Sequence, residues 1–390
     1  MHLLFATSIV PDGAHASGYE IANAAIIAAL RRAGARVTVI GFTWPGKAAV
    51  DPQNTVVLGA IDVRTENASP LQKLAWVGAA MLSGLTFASV KLRVVSDQAV
   101  QAAIEQAGPF DGYVLNSVQF AGAFEKLFKD RPSIFVAHNV EHLSARENAV
   151  AAGGFLQRLL FRREARLLER MEERLCRRAR FVFTLAEEDR AALGVASDAR
   201  SAALALVTGA AAPIRKGPRR IDCDAALIGT WTWQPNRTGL DWFLGKVVPH
   251  LRPGFRIRIA GHMPSGVSSP HPGVEFVGRV PDAGAFVCGA AVIPLISTSG
   301  SGVQLKTIET FELGLPSVAT SHSLRGIDHR PANCVVTDDP VAFARALEAA
   351  AADIRDVDGG AFRRQQVKAL DAAIGLGLAK LGAVRQEVLA

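Results

Sequence analysis

The stretch from Ile293 to Thr320 limits the fold of this chain more than any other. Val292, Ile293, Pro294 and Leu295 read as the end of a buried strand, and they run into a loop of small hydroxyl and glycine residues from Ser297 to Gly302. Behind the loop the pattern predicts a helix from Val303 to Leu313, stopped by Gly314 and Pro316, and then a second strand, Ser317 to Thr320. Strand, loop, helix and strand in so short a span form the unit of a parallel α/β sheet, because parallel neighbours need a crossover and a helix supplies it.

The same stretch suggests chemistry. Gly300 and Gly302 let the backbone approach a ligand closely, and a helix N-terminus behind them offers unpaired N–H groups with a partial positive charge. Ser299 and Ser301 complete this candidate anion site. On the helix Leu305, Ile308, Phe311 and Leu315 make the apolar stripe, while Lys306 and Glu309 share another face toward the loop. A cation and a carboxylate there suit a phosphate and a pair of sugar hydroxyls, since one carboxylate accepts two hydrogen bonds. The plainer alternative is a surface pair in which the two charges neutralise each other, although Lys before Glu is the poorer order for such a helix pair.

From Gly302 to Thr320 the pattern G-x-x-L-K-x-x-E-x-x-x-x-G-x-P-x-V-A-T resembles the donor-site segment of the group 1 glycosyltransferases, the glycogen-synthase-like class with a GT-B fold. Bacterial exopolysaccharide and lipopolysaccharide transferases are the members it is most similar to. The resemblance implies that Glu309 is the second Glu of the family's E-x7-E motif, which holds the nucleotide ribose. The first Glu of that motif falls on Ser301, so the carboxylate expected near the donor sugar is missing.

With 390 residues the chain is too long for one ordinary core and suits two domains. The expected division is an N-terminal Rossmann-like acceptor domain over 1–208, a linker over 209–224 rich in Gly, Pro and charge, and a Rossmann-like nucleotide-sugar domain over 225–370. A C-terminal helix, 371–390, would cross back to the first domain as the resemblance implies, with the two domains facing across a cleft. Lys and Arg at 43 against Asp and Glu at 36 give a net charge of +7, which favours anionic partners only weakly over this length. Four scattered cysteines at 176, 223, 288 and 334, none at metal-ligand spacing, fit reduced thiols in a cytoplasmic protein. The first residues go straight into a strand with no secretory signal pattern.

Along the chain, Leu3 to Phe5 reads as the first strand, Ser8 to Gly18 as a loop, Tyr19 to Ala33 as an amphipathic helix and Arg36 to Phe42 as the second strand. This βαβ opening lacks G-x-G-x-x-G and the acidic residue that would follow it, so it is no dinucleotide fingerprint. In the resembled family this loop helps hold the acceptor, which implicates Gly18. The apolar stretch 71–95, bounded by Lys73 and Lys91, is slightly short for a membrane span. It reads equally as a buried helix or as a helix at a membrane interface with Trp76 and the lysines as anchors.

Asp111 to Asn116 and Ser133 to Ala137 read as parallel strands, the second running into the H-N-V-E-H sequence from His138 to His142. Resemblance implies that His138 faces donor sugar or acceptor, and a histidine can move protons near neutral pH; a hydrogen-bonded loop residue is the alternative. A helix over 155–179 carries Arg158, Arg162, Arg166, Arg170, Arg174 and Arg178 four apart. Either Glu169, Glu172 and Glu173 pair with this face internally, or it meets anionic lipid or a lipid-linked phosphate.

In the second half, Ala225 to Gly229 and Arg256 to Gly261 read as strands, and Gly261 ends the second where the family packs the nucleotide. Many family members carry an Arg and a Lys that grip the donor diphosphate; the matching positions here are Thr230 and Pro235, which leaves that role to Lys306 with Arg237 as a helper. The function expected is transfer of a sugar from a UDP- or GDP-linked donor to a bacterial surface glycan or polyprenyl-linked acceptor, retaining and without cofactor or bound metal. His138 and Lys306 would be the catalytic residues of a cytoplasmic protein, with peripheral contact to anionic lipid on the inner face of the cytoplasmic membrane as a further option. The alternatives are a nucleotide-sugar-binding or assembly subunit without activity, a GT-B epimerase, or an inverting transferase. No basic patch with interleaved aromatics speaks for nucleic acid.

Overall fold

A computed structural model of the chain describes residues 1–13, 17–65, 67–208 and 219–388. By internal contacts the chain divides into two units, Met1–Leu206 together with Lys368–Ala390, and Val207–Val367. Each holds one parallel sheet flanked by helices, because its apolar strands are too continuous to leave a face in water.

In the first unit the strands are β1 (His2–Ile9), β2 (Arg36–Thr43), β3 (Thr55–Ala60), β4 (Gly112–Asn116), β5 (Ser133–Ala137), β6 (Phe181–Thr184) and β7 (Ser201–Ala203). They lie in the order β3-β2-β1-β4-β5-β6-β7, so the winding reverses between β1 and β4. The helices are α1 (Gly18–Arg32), α2 (Pro70–Ser83), α3 (Phe87–Lys91), α4 (Asp97–Ala107), α5 (Val118–Ala123), α6 (Glu141–Ala151), α7 (Phe155–Arg178) and α8 (Glu187–Ala192). Phe42, Phe120, Phe124, Phe128 and Phe135 fill one side of the sheet together with Leu168, Met171 and Leu175 of α7.

Three expectations change here. β1 runs on past Phe5 to Ile9, because Thr7 in its polar end is buried with hydrogen-bond partners. The 71–95 stretch is two helices, not one: Gly84, at φ +69°, ends α2 and a new N-cap at Thr86 starts α3. It is no buried helix either, since Ala80 is the residue α2 buries. Trp76 is half-buried, with the Lys91 ammonium 4.7 Å from its ring and donating to the Val63 carbonyl and the Thr65 hydroxyl. Among the described residues no helix is long and apolar enough to cross a membrane.

The arginine row of α7 is not paired within its own helix. Arg174 and Arg178 both reach Glu125, at 2.9 and 3.1 Å, Glu169 takes Arg146 of α6, and Glu172 is buried against the start of α6.

The second unit orders its strands β10-β9-β8-β11-β12-β13, where β8 is Cys223–Thr230, β9 Ile257–His262, β10 Val274–Gly278, β11 Ala290–Leu295, β12 Ser317–Ala319 and β13 Cys334–Val336. Its helices are α9 (Gln234–Trp242), α10 (Ala283–Cys288), α11 (Leu305–Glu312), α12 (Pro340–Ala352) and α13 (Gly359–Val388), the last contributing residues from Lys368 onward to the first unit. Phe243, Phe255, Ile257, Ile259, Val292 and Phe343 form its core. Of the expected linker, 209–218 lie outside the described residues. Arg219 is tied to Asp356 at 2.8 Å and to the Cys288 carbonyl at 2.9 Å, and β8 begins at Cys223, two residues before Ala225.

Candidate functional site

In the second unit the winding reverses between β8 and β11, and open parallel sheets leave a crevice beyond the strand ends at such a point. A pocket lies there, lined by Ile228, Trp231, Asn236, Ser297, Gln304, Lys306, Glu309 and Ser323 among others. Two glycines near the ends of β8 and β9 allow close packing behind Lys306. Gly261 stands at φ +116°, and a Cβ there would fall 1.8 Å from the Gly229 carbonyl oxygen, so no other residue fits. At Gly229 a Cβ would come 2.7 Å from the Lys306 Nζ; the missing side chain is the space the ammonium occupies.

Lys306 passes from α11 over Trp231, its ammonium 5.1 Å from the ring, and the indole N–H in turn donates to the Ala260 carbonyl at 2.8 Å. Burial brings the Lys306 pKa down to about 8, against the charge of Glu309, which raises it. Burial holds the Glu309 carboxyl above the usual range, the charge of Glu312 adds to that, and Lys306 opposes it. Among the described residues neither Lys306 nor Glu309 has a salt bridge, so they do not form the mutually neutralised surface pair. Glu312, one step on, is occupied: the Thr208 amide and hydroxyl both donate to it, and Arg363 lies 3.6 Å away.

The loop ahead of α11 is pinned at both ends. The Ser297 amide donates to the Ser323 hydroxyl at 3.0 Å, the Ser323 hydroxyl donates to the Leu295 carbonyl at 2.8 Å, and Arg325 donates to the Gly302 carbonyl at 3.4 Å. Gly300 and Gly302 take φ values of +102° and +77°, the left-handed region that glycine allows. With Gly302 held this way, Val303 and Gln304 stay outside the helix and α11 starts at Leu305, not at Val303. Gln304 provides no side-chain cap, so the first amides of α11 are not satisfied by it.

The first unit has a polar cluster at its own reversal point. The Asn116 amide donates to Thr7 Oγ1 at 3.2 Å, to the Tyr19 hydroxyl at 3.2 Å and to Asn23 Oδ1 at 2.7 Å, and its Oδ1 meets His138 Nε2 at 2.8 Å. His138 is buried, and desolvation takes its pKa down to about 4, so the ring is neutral around pH 7. Gly18 is the first residue of α1, directly after Ser17, which forms a capping box with Glu20.

Residues 224–353 match the family described as glycosyl transferases group 1. The chain carries a group 1 glycosyltransferase domain. On that ground the protein is an enzyme of the glycosyltransferase class. Solved structures agree on the fold, which is GT-B with two Rossmann-like domains. Sucrose-phosphate synthase from Thermosynechococcus elongatus is 16% identical with 100% of both chains covered and a TM-score of 0.63. The catalytic domain of starch synthase IV from Arabidopsis thaliana, bound to ADP and acarbose, is 12% identical with 98% of each chain covered and a TM-score of 0.55. HepE from Anabaena, in complex with UDP and glucose, is 13% identical with 100% of this chain and 99% of that chain covered and a TM-score of 0.53. No curated protein sequence matches the chain.

Within the glycosyltransferase domain Lys306 and Glu309 line the pocket together, whereas Gly261 packs on Gly229 and Ser299, Gly300, Ser301 and Gly302 lie on the loop that leads into α11, none of these five among the lining residues. Arg237 does not join them: its Nε donates to both Asp241 oxygens at 2.8 Å, one turn along α9, and it is not part of the pocket lining. Trp231, Asn236, Gln304 and Ser323 also line the pocket, and the sequence patterns did not single them out. Trp231 had a visible signal in the G-T-W-T-W run after β8. Ser323 had none, because only the tertiary fold brings the turn after β12 back onto the loop.

Proposed function

We propose that the chain transfers a glycosyl group from a nucleoside-diphosphate sugar, held in the second-unit pocket, to a glycan or polyprenyl-linked acceptor of the bacterial surface. One observation carries this reading: Lys306 and Glu309 line the same pocket with no salt bridge between them, beyond the ends of parallel strands in a group 1 domain. The Lys306 ammonium, confined by Trp231 and Gly229, neutralises charge as the diphosphate leaves, and loop amides from Ser299 to Gly302 add donors. Glu309 accepts two ribose hydroxyls and fixes the nucleotide. The UDP and ADP in the HepE and starch synthase structures fit a nucleoside-diphosphate donor here as well.

In this reading charge neutralisation at the leaving group rests on Lys306 and needs no metal, and the anomeric configuration is retained, as in the resembled family. His138, neutral and held by Asn116, positions the sugar or acceptor by hydrogen bonding and does not carry a proton between ionised states. In the same reading Gly18, which opens α1, contributes to holding the acceptor.

Calorimetric titration with UDP, GDP and ADP tests the site. Lys306→Met, which keeps the stem over Trp231, is expected to weaken the bound nucleotide about 10- to 100-fold, the worth of a charged hydrogen bond, and Glu309→Ala about 5- to 30-fold. Full affinity in both variants would refute the assignment. A second reading, a nucleotide-sugar-binding subunit without turnover, has Ser301 at the usual Glu position and the Arg237–Asp241 pair in its favour. Nucleotide binding with neither donor hydrolysis nor transfer would select it.

A further inference from the structure

The first unit carries an apolar surface that its own core does not use. On α2, Leu71, Leu74, Met81 and Leu82 share one outward stripe and are 80%, 68%, 43% and 92% exposed. On α7, Phe155 and Leu159 are 83% and 53% exposed on the face opposite the buried Leu168, Met171 and Leu175, with Leu156 beside them at 67%. The two helices adjoin at this level. Arg163, one turn beyond Leu159, donates to the Ala80 carbonyl at 2.6 Å and to the Leu85 carbonyl at 3.3 Å, on either side of Met81 and Leu82. So large a run of outward leucines, with Met81 and Phe155 among them, is not the scattered exposure that folded surfaces ordinarily show.

Cations stand in the same place. Arg158, Arg162 and Arg166 lie on the outward face of α7, four apart, where like charges oppose one another unless an anion lies against them. Arg158 and Arg162, with Arg146, Ala149 and Val150, line a concavity of about 490 Å³, and no acid is among its lining residues. Arg146 leans on Glu169 at 2.7 Å and Arg158 donates to the Ala152 carbonyl at 3.2 Å, so both guanidiniums are held at the rim. A polyanion in water would suit the arginines and leave the leucines wet, and an apolar protein face would do the reverse. A bilayer with anionic headgroups satisfies both, with phosphate at the depth of the guanidiniums and acyl chain beneath for the leucines.

We propose that the outward stripe of α2, the first two turns of α7 and the arginine-lined concavity between α6 and α7 form a docking face for an anionic lipid bilayer. It lies in the first unit and does not depend on the nucleotide pocket. Sedimentation of the full chain with vesicles tests it. The chain is expected to partition onto vesicles of phosphatidylglycerol and phosphatidylcholine, and about tenfold less onto phosphatidylcholine alone or when salt is raised to ~0.5 M. Leu74→Glu with Leu82→Glu, and separately Arg158→Glu with Arg162→Glu, should each lower partitioning by about tenfold or more. All four side chains are on the surface, so unchanged thermal melts verify folding, and Leu82→Ser with Arg162→Gln replaces any pair that melts early. The proposal is overturned if the wild-type chain stays in the supernatant, or if both double variants still sediment fully. It is equally overturned if the chain ignores vesicles and forms a dimer that Leu74→Glu dissolves, which would give the face to a second copy. UDP titration run in parallel separates this outcome from failure of the transferase reading.

Discussion

Lys306 shows how a single residue is tuned by its surroundings. An exposed lysine would keep its charge to well above pH 10, but burial over Trp231 brings the pKa to about 8 in the free protein. The sign follows directly: the ammonium is present below pH 8 and is lost as pH rises through it. Affinity for a nucleoside diphosphate should therefore be level from pH 6 to 7.5 and fall above pH 8, by at most about tenfold per unit, with uptake of a proton on binding at pH 8.5. Calorimetry in buffers of different ionisation enthalpy reads both effects, and Lys306→Met should flatten the profile. Gly261 is constrained by space and not by charge. Gly261→Ala would place a methyl 1.8 Å from the Gly229 carbonyl at φ +116°, and a loss of about 3 kcal/mol or more in urea unfolding is expected, together with loss of the pocket.

At the scale of elements, the H-N-V-E-H sequence after β5 acquires a meaning that the residues alone do not disclose. The start of α6 has no cap of its own, since Val140 holds the N-cap position. Glu172 of α7 serves it from across the packing: it accepts from the Glu141 amide at 2.7 Å and bonds His142 Nδ1 at 2.6 Å, and it is buried. One histidine of the run thus anchors a helix while the other, His138, joins the Asn116 cluster. Glu172→Ala leaves those donors without a partner in a dry place, and a loss of about 2–4 kcal/mol is expected in chemical denaturation, with Glu172→Gln recovering part of it. The boundary of α11 has a similar origin. Its pattern reads as helical from Val303, but Gly302 stands at φ +77° with its carbonyl bonded to Arg325, and α11 starts at Leu305.

At the scale of the whole molecule, the last helix binds the end of the chain to its beginning. Leu370, Ile374 and Leu381 of α13 are buried in the first unit, where a Cβ on Gly377 would lie 2.5 Å from Phe183 and one on Gly112 would lie 3.1 Å from Leu381. A chain ending at Val367 would uncover that face, and roughly 1.5–3 kcal/mol is lost for each buried leucine or isoleucine removed. Such a truncation is expected to melt well below the full chain or to aggregate on expression, and a thermal melt followed by circular dichroism checks it.

The sequence alone determined the class of fold and, of the candidate site, the placing of Lys306 and Glu309 on one short helix behind a glycine loop. Uninterrupted apolar strands can only be buried on both faces, helices at regular intervals can only cross over them, and a glycine loop before a Lys and a Glu three apart is a local arrangement that spacing expresses fully. What only the tertiary structure decided depends on neighbours distant in the chain. It turned Arg237 to Asp241, placed Trp231 and Ser323 against Lys306 and its loop, closed Gly229 on Gly261, and turned the leucines of α2 outward. A periodic pattern tells that a helix has an apolar side; which side faces water is fixed by the partners it meets, and those are set by packing.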